Sequence, residues 1–426
     1  MTNPYRIEGL IRALDEPESV VKARTAALFG LEEADLAGFR ILRRSLDARR
    51  SRPPRFVYVV ACGLPDATGT PVALPEGVSV HRCAADEDAV PGLEEPTDGS
   101  AAPRPTAGGR TPVAVVGGGP AGLFAALRLA LAGRPVVLLE RGRPVSLRVR
   151  DVERFWAGGA FDPESHVQFG EGGAGTFSDG KLTSRARNPR TAWVKQVLVD
   201  CGAPDAILTD AKPHIGTDRL RTVVVGLRER LQALGCEVRF GARVTDVLVH
   251  RGRLAGLVVG DGAEIRTAQA ILASGQSADD TLRRLRERGV ALAPKAFAVG
   301  LRVEHPQALI DEIQYGRWRS HPALPPAEYA LTAKLAVFDR SVYTFCMCPG
   351  GRVIACSATA GGVITNGMSL SRRDGPYANS AVVVNVRTED FAPDPGDPLS
   401  GWPSAVSGKR GPSPLRAAPI GPPRSG

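Results

Sequence analysis

Glycines at 117, 119 and 122 follow directly on the apolar run VAVV at 113–116, with Pro120 among them and Glu140 23 residues after the first. The run predicts a short buried parallel strand, and Gly117-Gly118-Gly119 a tight turn out of it. Pro120 suits the first position of a helix, where its missing N–H costs nothing. Leu123, Phe124, Leu127 and Leu131 then recur at helical spacing, and a second apolar run at 135–139 ends in Glu140. Glycines in this order permit the turn, let backbone approach a pyrophosphate and let the helix pack on the sheet. The anion would rest on free N–H groups at the helix start, and the acid would accept from ribose hydroxyls. This is dinucleotide chemistry, open at this point to nicotinamide or flavin. Gly117, Gly119, Pro120, Ala121, Gly122, Glu140 and Arg141 are the residues expected against the ADP half.

A second stretch, FGEGGAGTFSDGK at 169–181, carries five glycines in thirteen residues. So many glycines cost chain entropy, and they are expected where a ligand or another backbone comes close. Gly172, Gly173, Lys181 and Leu182 are candidates beside the pyrophosphate and ring, with Lys181 available to neutralise phosphate or reduced flavin. The segment AQAILASG at 268–275 predicts another short strand, ending in Ala273-Ser274-Gly275, and Val244 opens a hairpin strand. Val244, Ser274 and Gly275 are expected on the adenosine side.

For the substrate, Arg302, Glu304 and His305 close a predicted strand at 296–303, and Cys346 and Cys348 lie in line with Asn366 and Arg372. Lys181, Arg302 and His305 are the catalytic candidates. His305 and His166 suit a general acid, although a hydrogen-bonded structural histidine is the plainer reading of each. Cys346 and Cys348 alternate on a strand, so they share a face but form a disulfide poorly unless the backbone deforms. Packing, or a flavin-facing wall, is the expectation for them. The seven cysteines are odd in number, scattered and not spaced as a zinc site, which predicts no metal and a reducing compartment.

The elements that must position these residues divide the chain. Residues 1–85 predict a small N-terminal α/β module, with a helix at 18–31 and two strands joined by a basic turn at 48–55. Residues 86–110, acidic and then rich in Pro, Gly and Ala, predict a flexible linker. Residues 111–292 hold the Rossmann-like nucleotide domain, and 293–392 a mostly β, largely antiparallel substrate domain. A net charge of +9 and a pI near 9.4 suit polyanions in principle. An Arg-rich soluble protein is the plainer reading, and no nucleic acid partner is expected. No apolar run of 18 residues is free of charge and no signal-peptide pattern opens the chain, so the expectation is a cytoplasmic protein without a membrane partner.

Longer motifs narrow the choice of nucleotide. The order of nucleotide unit, Gly-rich loop, hairpin with Gly241-Ala242-Arg243-Val244, and Ala273-Ser274-Gly275 strand resembles the FAD-binding fold of the glutathione-reductase-like flavoproteins. DVERFWAGGAFDPESHVQFGEGGAGTFSDGKLTSR, KAFAVGLRVEHPQALID, TFCMCPGGRVIACSATAGGVITNGMS and YANSAVVVNVR resemble the uncharacterised bacterial FAD-dependent dehydrogenases, or NAD(P)/FAD-dependent oxidoreductases. The N-terminal RRSLDAR joins them, so the likeness spans roughly residues 5–392 apart from the linker. It implies non-covalent FAD, a small-molecule substrate and NAD(P)H as a transient electron donor. A non-catalytic remnant of the fold, or an RNA-associated protein using the basic module, is the alternative.

In that class the chain returns at its C-terminus to the nucleotide domain, and nothing after Phe391 has such a pattern. Residues 393–426 predict a disordered tail. Trp402-Pro403 is encoded TGG-CCN, so the frame one base earlier reads Val, Leu or Met and then Ala. A frameshift or truncation near residue 400, with an incomplete flavin pocket and weakened FAD affinity, is the expectation there.

Overall fold

The computed structural model describes residues 2–65, 71–83, 111–183, 188–260 and 262–391. The expected linker and C-terminal tail lie outside the described residues. Four strands and one helix come first: β1 (Thr2–Ala13), α1 (Val20–Leu28), β2 (Ala37–Asp47), β3 (Arg55–Pro65) and β4 (Ser79–Arg82). They form an antiparallel sheet of order β2-β3-β1-β4. Val21, Ala26 and Leu28 of α1 close a core with Ile7, Leu10, Tyr58 and Val60. Two arginines of β2 and its turn face carboxylates. Arg44 pairs with Asp210 at 2.7 Å and Arg49 with Asp47 at 2.7 Å.

Next come β5 (Val113–Val116), α2 (Pro120–Leu131), β6 (Val136–Leu139), α3 (Val145–Trp156), α4 (Arg190–Asp200), α5 (Ala206–Thr209), α6 (Thr217–Ala233) and β7 (Glu237–Arg239). The strands β8 (Val244–His250), β9 (Arg253–Val259), β10 (Ala263–Arg266) and β11 (Ala270–Leu272) and the helix α7 (Asp279–Glu287) complete this part. A parallel sheet runs in the order β11-β5-β6-β7. Both of its faces are covered, which is why β5 and β6 read as unbroken apolar runs. Val115, Val136 and Leu138 meet α2 and α6 on one side. Ala114, Val116, Val137 and Leu139 meet the β8–β10 meander and Leu285 of α7 on the other.

The last part consists of β12 (Phe297–Pro306), α8 (Gln307–Tyr315), β13 (Thr332–Leu335), β14 (Arg340–Cys348), β15 (Arg352–Ala355), β16 (Thr365–Met368) and β17 (Tyr377–Val386). An antiparallel sheet has the order β12-β17-β14-β13, with β15 and β16 as a separate ribbon. Ile354, Cys356 and Met368 of that ribbon region pack on Val152, Val167 and Phe177, which seats it against α3 and the Gly-rich loop. The fold class is α/β: a Rossmann-like parallel sheet, a second antiparallel sheet and a small N-terminal α/β module. Among the described residues no helix is long and apolar enough to cross a membrane.

Candidate flavin site and the sheet wall beside it

The strand β5 delivers the chain into the turn at the head of the parallel sheet. Gly117 has φ +106°, and a Cβ there would collide with the carbonyl of Ala273, just past the neighbouring parallel strand β11. Gly119 then begins α2 with no side-chain cap, and Pro120 takes the first helical position. Among the described residues the first N–H groups of α2 have no side-chain partner, as an anion site requires. Gly173 packs across this turn from the Gly-rich loop. Its φ is +57°, and a Cβ on it would come within 3.0 Å of the Gly119 Cα.

Glu140, 4% exposed, ties these loops together. Its carboxylate accepts N–H groups from Gly118 at 2.6 Å, Gly142 at 2.9 Å and Gly170 at 2.9 Å. A carboxylate has about four lone-pair sites, so one stays open toward the cleft. The ribose role expected of Glu140 is thus joined by a structural one.

Arg148 of α3 is the residue that sequence reasoning missed. It is fully buried and donates to the carbonyls of His166 (2.9 Å), Val167 (2.8 Å), Glu171 (2.6 Å) and Gly173 (2.8 Å). Burial pulls its pKa down to about 9, with Glu140 and Glu171 opposing, so it stays charged at neutral pH. His166 lies in the same shell. Burial and the charges of Arg148 and Arg141 push it down to about 4, so its ring is neutral and suited to packing between Phe161 and Phe169.

A cleft of about 480 Å³ opens at this turn, within the range of small-ligand sites. Of the residues singled out in the sequence, Gly117, Gly119, Pro120, Ala121, Glu140, Arg141, Gly173, Val244, Ser274 and Gly275 line it. Phe169 and Arg243, which lie in the Gly-rich and Gly-Ala-Arg-Val motifs but were not singled out as contacts, line it too, as do Gln276 and Thr281, which no motif had marked. Arg141 lies 4.0 Å over the Phe169 ring and pairs with Glu164 and Asp280, both at 2.9 Å. Arg243 adds a further pair to Glu164 at 3.0 Å, which makes a four-charge rim. Gly122 instead abuts the carbonyl of Gly117, Gly172 abuts Thr176, and Leu182 packs in the helical core. The uncapped helix start, the glycine cradle and the open acceptor of Glu140 fit an adenine dinucleotide with its pyrophosphate at α2.

Lys181 sits on the other side of the loop, facing the antiparallel sheet. Its Nζ is 2.7 Å from Asp179, 3.5 Å from the Cys348 sulfur and 3.9 Å from the Cys346 sulfur. Buried Asp179 also pairs with Arg373 at 2.7 Å. The sequence pointed to Arg372, which is exposed; its neighbour Arg373 is the buried one. Arg302 donates to Asn379, to Asn366 at 3.3 Å and to the Cys346 carbonyl at 3.4 Å. His305 stands apart from this cluster, its Nε2 2.7 Å from the Tyr329 hydroxyl. Glu304 is exposed.

Three family descriptions match parts of the chain: an FAD binding domain at 112–172, an FAD-dependent protein C-terminal domain-like region at 296–404, and a domain of unknown function at 9–62. An uncharacterised protein of Clostridium beijerinckii is 39% identical over 388 residues, covering 91% of this chain and 70% of its own. Among solved structures, THI4 of Thermovibrio ammonificans is 20% identical over 43% of this chain and 66% of its own, with a TM-score of 0.31. The L-amino acid deaminase of Proteus myxofaciens is 15% identical over 46% and 51%, with a TM-score of 0.26. This chain therefore spans just under two thirds of the first and about half of the second. The Clostridium beijerinckii relative and the two flavin-related regions agree: the chain belongs to the bacterial FAD-dependent oxidoreductases, and its cofactor is FAD.

Proposed function

We propose that this chain passes a hydride between FAD and a small organic substrate, with NAD(P)H as a transient electron donor. The observation that carries the reading is the cleft at the uncapped start of α2, bounded by the Gly173 cradle. When bound, FAD supplies the redox chemistry itself. The chain's part is to hold and orient. The N–H groups of the first turn of α2 take the pyrophosphate, and the open acceptor of Glu140 takes a ribose hydroxyl. Val244, Ser274 and Gly275 leave room for the adenosine end. Lys181 and Arg302 keep positive charge on the wall beyond the loop. Arg302 hydrogen-bonds only neutral oxygens among the described residues, so its charge is available to an anionic group of the substrate.

The test is the absorbance spectrum of the purified chain after incubation with excess FAD, with the heat-released cofactor identified by chromatography. The expected result is flavin bands, FAD as the released species, and anaerobic bleaching on addition of NADH or NADPH. Protein that stays colourless in excess FAD overturns the proposal, and protein that binds NADH without flavin replaces it with a nicotinamide dehydrogenase.

A further inference from the structure

On a regular strand, Cys346 and Cys348 would stand side by side about two residue rises apart, roughly 6.6 Å, too far for their sulfurs to meet easily. The strand β14 is not regular there. Between the pairs Phe345–Ala381 and Cys348–Asn379 it takes three steps while β17 takes two, so one extra residue is bulged out. Cys346 carries the distortion with φ +50°, a left-handed backbone uncommon for a non-glycine residue. Across the bulge both sulfurs meet one cation, the Lys181 ammonium at 3.9 Å from Cys346 and 3.5 Å from Cys348, and the Cys348 sulfur donates to the Cys346 carbonyl at 3.3 Å.

The surroundings treat the two sulfurs differently. Cys346 is half-buried and Cys348 fully buried. The Lys181 ammonium reaches both, and the Arg302 guanidinium lies against the Cys346 carbonyl. A Cβ on Gly367 would press on the Cys348 sulfur at 2.7 Å, so that position leaves room for it. The neighbouring Cys348 thiol pulls Cys346 down, with Lys181 and Arg302 adding and burial opposing. The Cys346 sulfur beside it and burial push Cys348 up. Burial pushes Cys62, Cys236 and Cys356 up to about 11, in Cys356 against Gln168 and Arg302, which leaves them inert.

We propose that Cys346 and Cys348 are a redox thiol pair that exchanges with small-molecule disulfides, Cys346 as the attacking thiolate and Cys348 as the resolving thiol. The Cys346 sulfur attacks one sulfur of the disulfide RSSR, forming a mixed disulfide and releasing RS⁻. That thiolate takes the Cys348 proton and leaves as RSH. The Cys348 sulfur then displaces the second RS⁻ from Cys346. Two electrons pass from the two cysteine sulfurs to the small-molecule disulfide, and an intrachain disulfide remains. The inference goes beyond the flavin reading and does not depend on it.

Both cysteines fall in one tryptic peptide, residues 341–352, so one mass-spectrometric assay on the full chain reads both. Iodoacetamide labelling across pH should reach half-maximum at Cys346 at least about one pH unit below the ordinary thiol value of about 8.5. Lys181→Gln should move that midpoint up by about one pH unit. In glutathione disulfide, the wild-type peptide should lose both free thiols as an internal disulfide. Cys348→Ser should stop at glutathione on Cys346, and Cys346→Ser should leave Cys348 unmodified. A wild-type midpoint near the ordinary thiol value of about 8.5 overturns the proposal. So does a wild-type chain that accumulates the mixed disulfide without closing it, or that pairs Cys346 with another cysteine. The wild-type arms decide the matter even if a variant fails to fold. Flavin content, read from the same samples by visible absorbance, tests the other proposal separately.

Discussion

Glu140 and Arg148 commit most of their hydrogen bonds to backbone, so their substitution should be felt first in the loops around the cleft. Glu140→Gln turns one acceptor oxygen into a donor facing buried N–H groups. Each stranded buried donor costs about 1–3 kcal/mol, and the denaturation midpoint should fall accordingly, together with FAD retention. Arg148→Met leaves four buried carbonyls without their shared donor and should cost at least about 3 kcal/mol in the same assay. A pH prediction comes from His166, 3% exposed and held down to about 4 against an ordinary value of 6.5. The unfolded chain takes up a proton there below pH 6.5 while the folded chain does not. The stabilisation is therefore complete above pH 6.5 and declines as pH falls toward 4, by roughly 3 kcal/mol over the whole window. Thermal melts of the wild type between pH 7 and 5 should slope more steeply than those of His166→Gln. Equal slopes would mean that the ring is not kept neutral.

At the scale of elements, the Gly-rich loop and the α2 turn act as one cradle. Gly173→Ala places a methyl 3.0 Å from the Gly119 Cα on a backbone with φ +57°. The left-handed backbone alone costs about 1–2 kcal/mol, and the loop must lift from the turn. FAD affinity measured by fluorescence titration should drop at least about tenfold, which equals 1.4 kcal/mol, while far-UV circular dichroism stays unchanged. The β5–α2–β6 unit was legible because its apolar period, glycines and proline all pointed the same way. The helix α3 was not. Its inward face includes Arg148 and Asp151, both buried, so a polar, Arg-rich stretch concealed a packed helix. The nine-residue helix α8 follows β12 directly, with only Gln307, Ile310 and Tyr315 buried, too short a stripe to register. The distortion at Cys346 has no composition signal either: nothing in TFCMC marks a bulge, and only the register against β17 reveals it. The cleft residues were read from glycine spacing, whereas the Lys181–Cys346–Cys348 cluster required the antiparallel sheet to be placed against the loop.

Across the whole molecule, burial is uneven. The parallel sheet is covered on both faces, and the N-terminal module is docked by Arg44 on Asp210 and by Arg50 on the Ile313 carbonyl at 3.0 Å. The antiparallel sheet is not so protected. Val299, Leu301 and Val303 share one face of β12 at 47%, 69% and 41% exposure. Three adjacent apolar side chains on one strand face form the kind of contiguous patch that soluble chains seldom leave open. The β12 patch should therefore bind a hydrophobic dye under native conditions, at neutral pH and without denaturant. Leu301→Lys places an ammonium in the middle of the patch. On an exposed position it should change stability by no more than about 0.5 kcal/mol. Dye fluorescence should fall by at least half in that variant, whereas Val249→Lys, also exposed but on the β8–β10 meander, should leave it nearly unchanged. Equal fluorescence in the wild type and Leu301→Lys would mean that β12 is covered in solution.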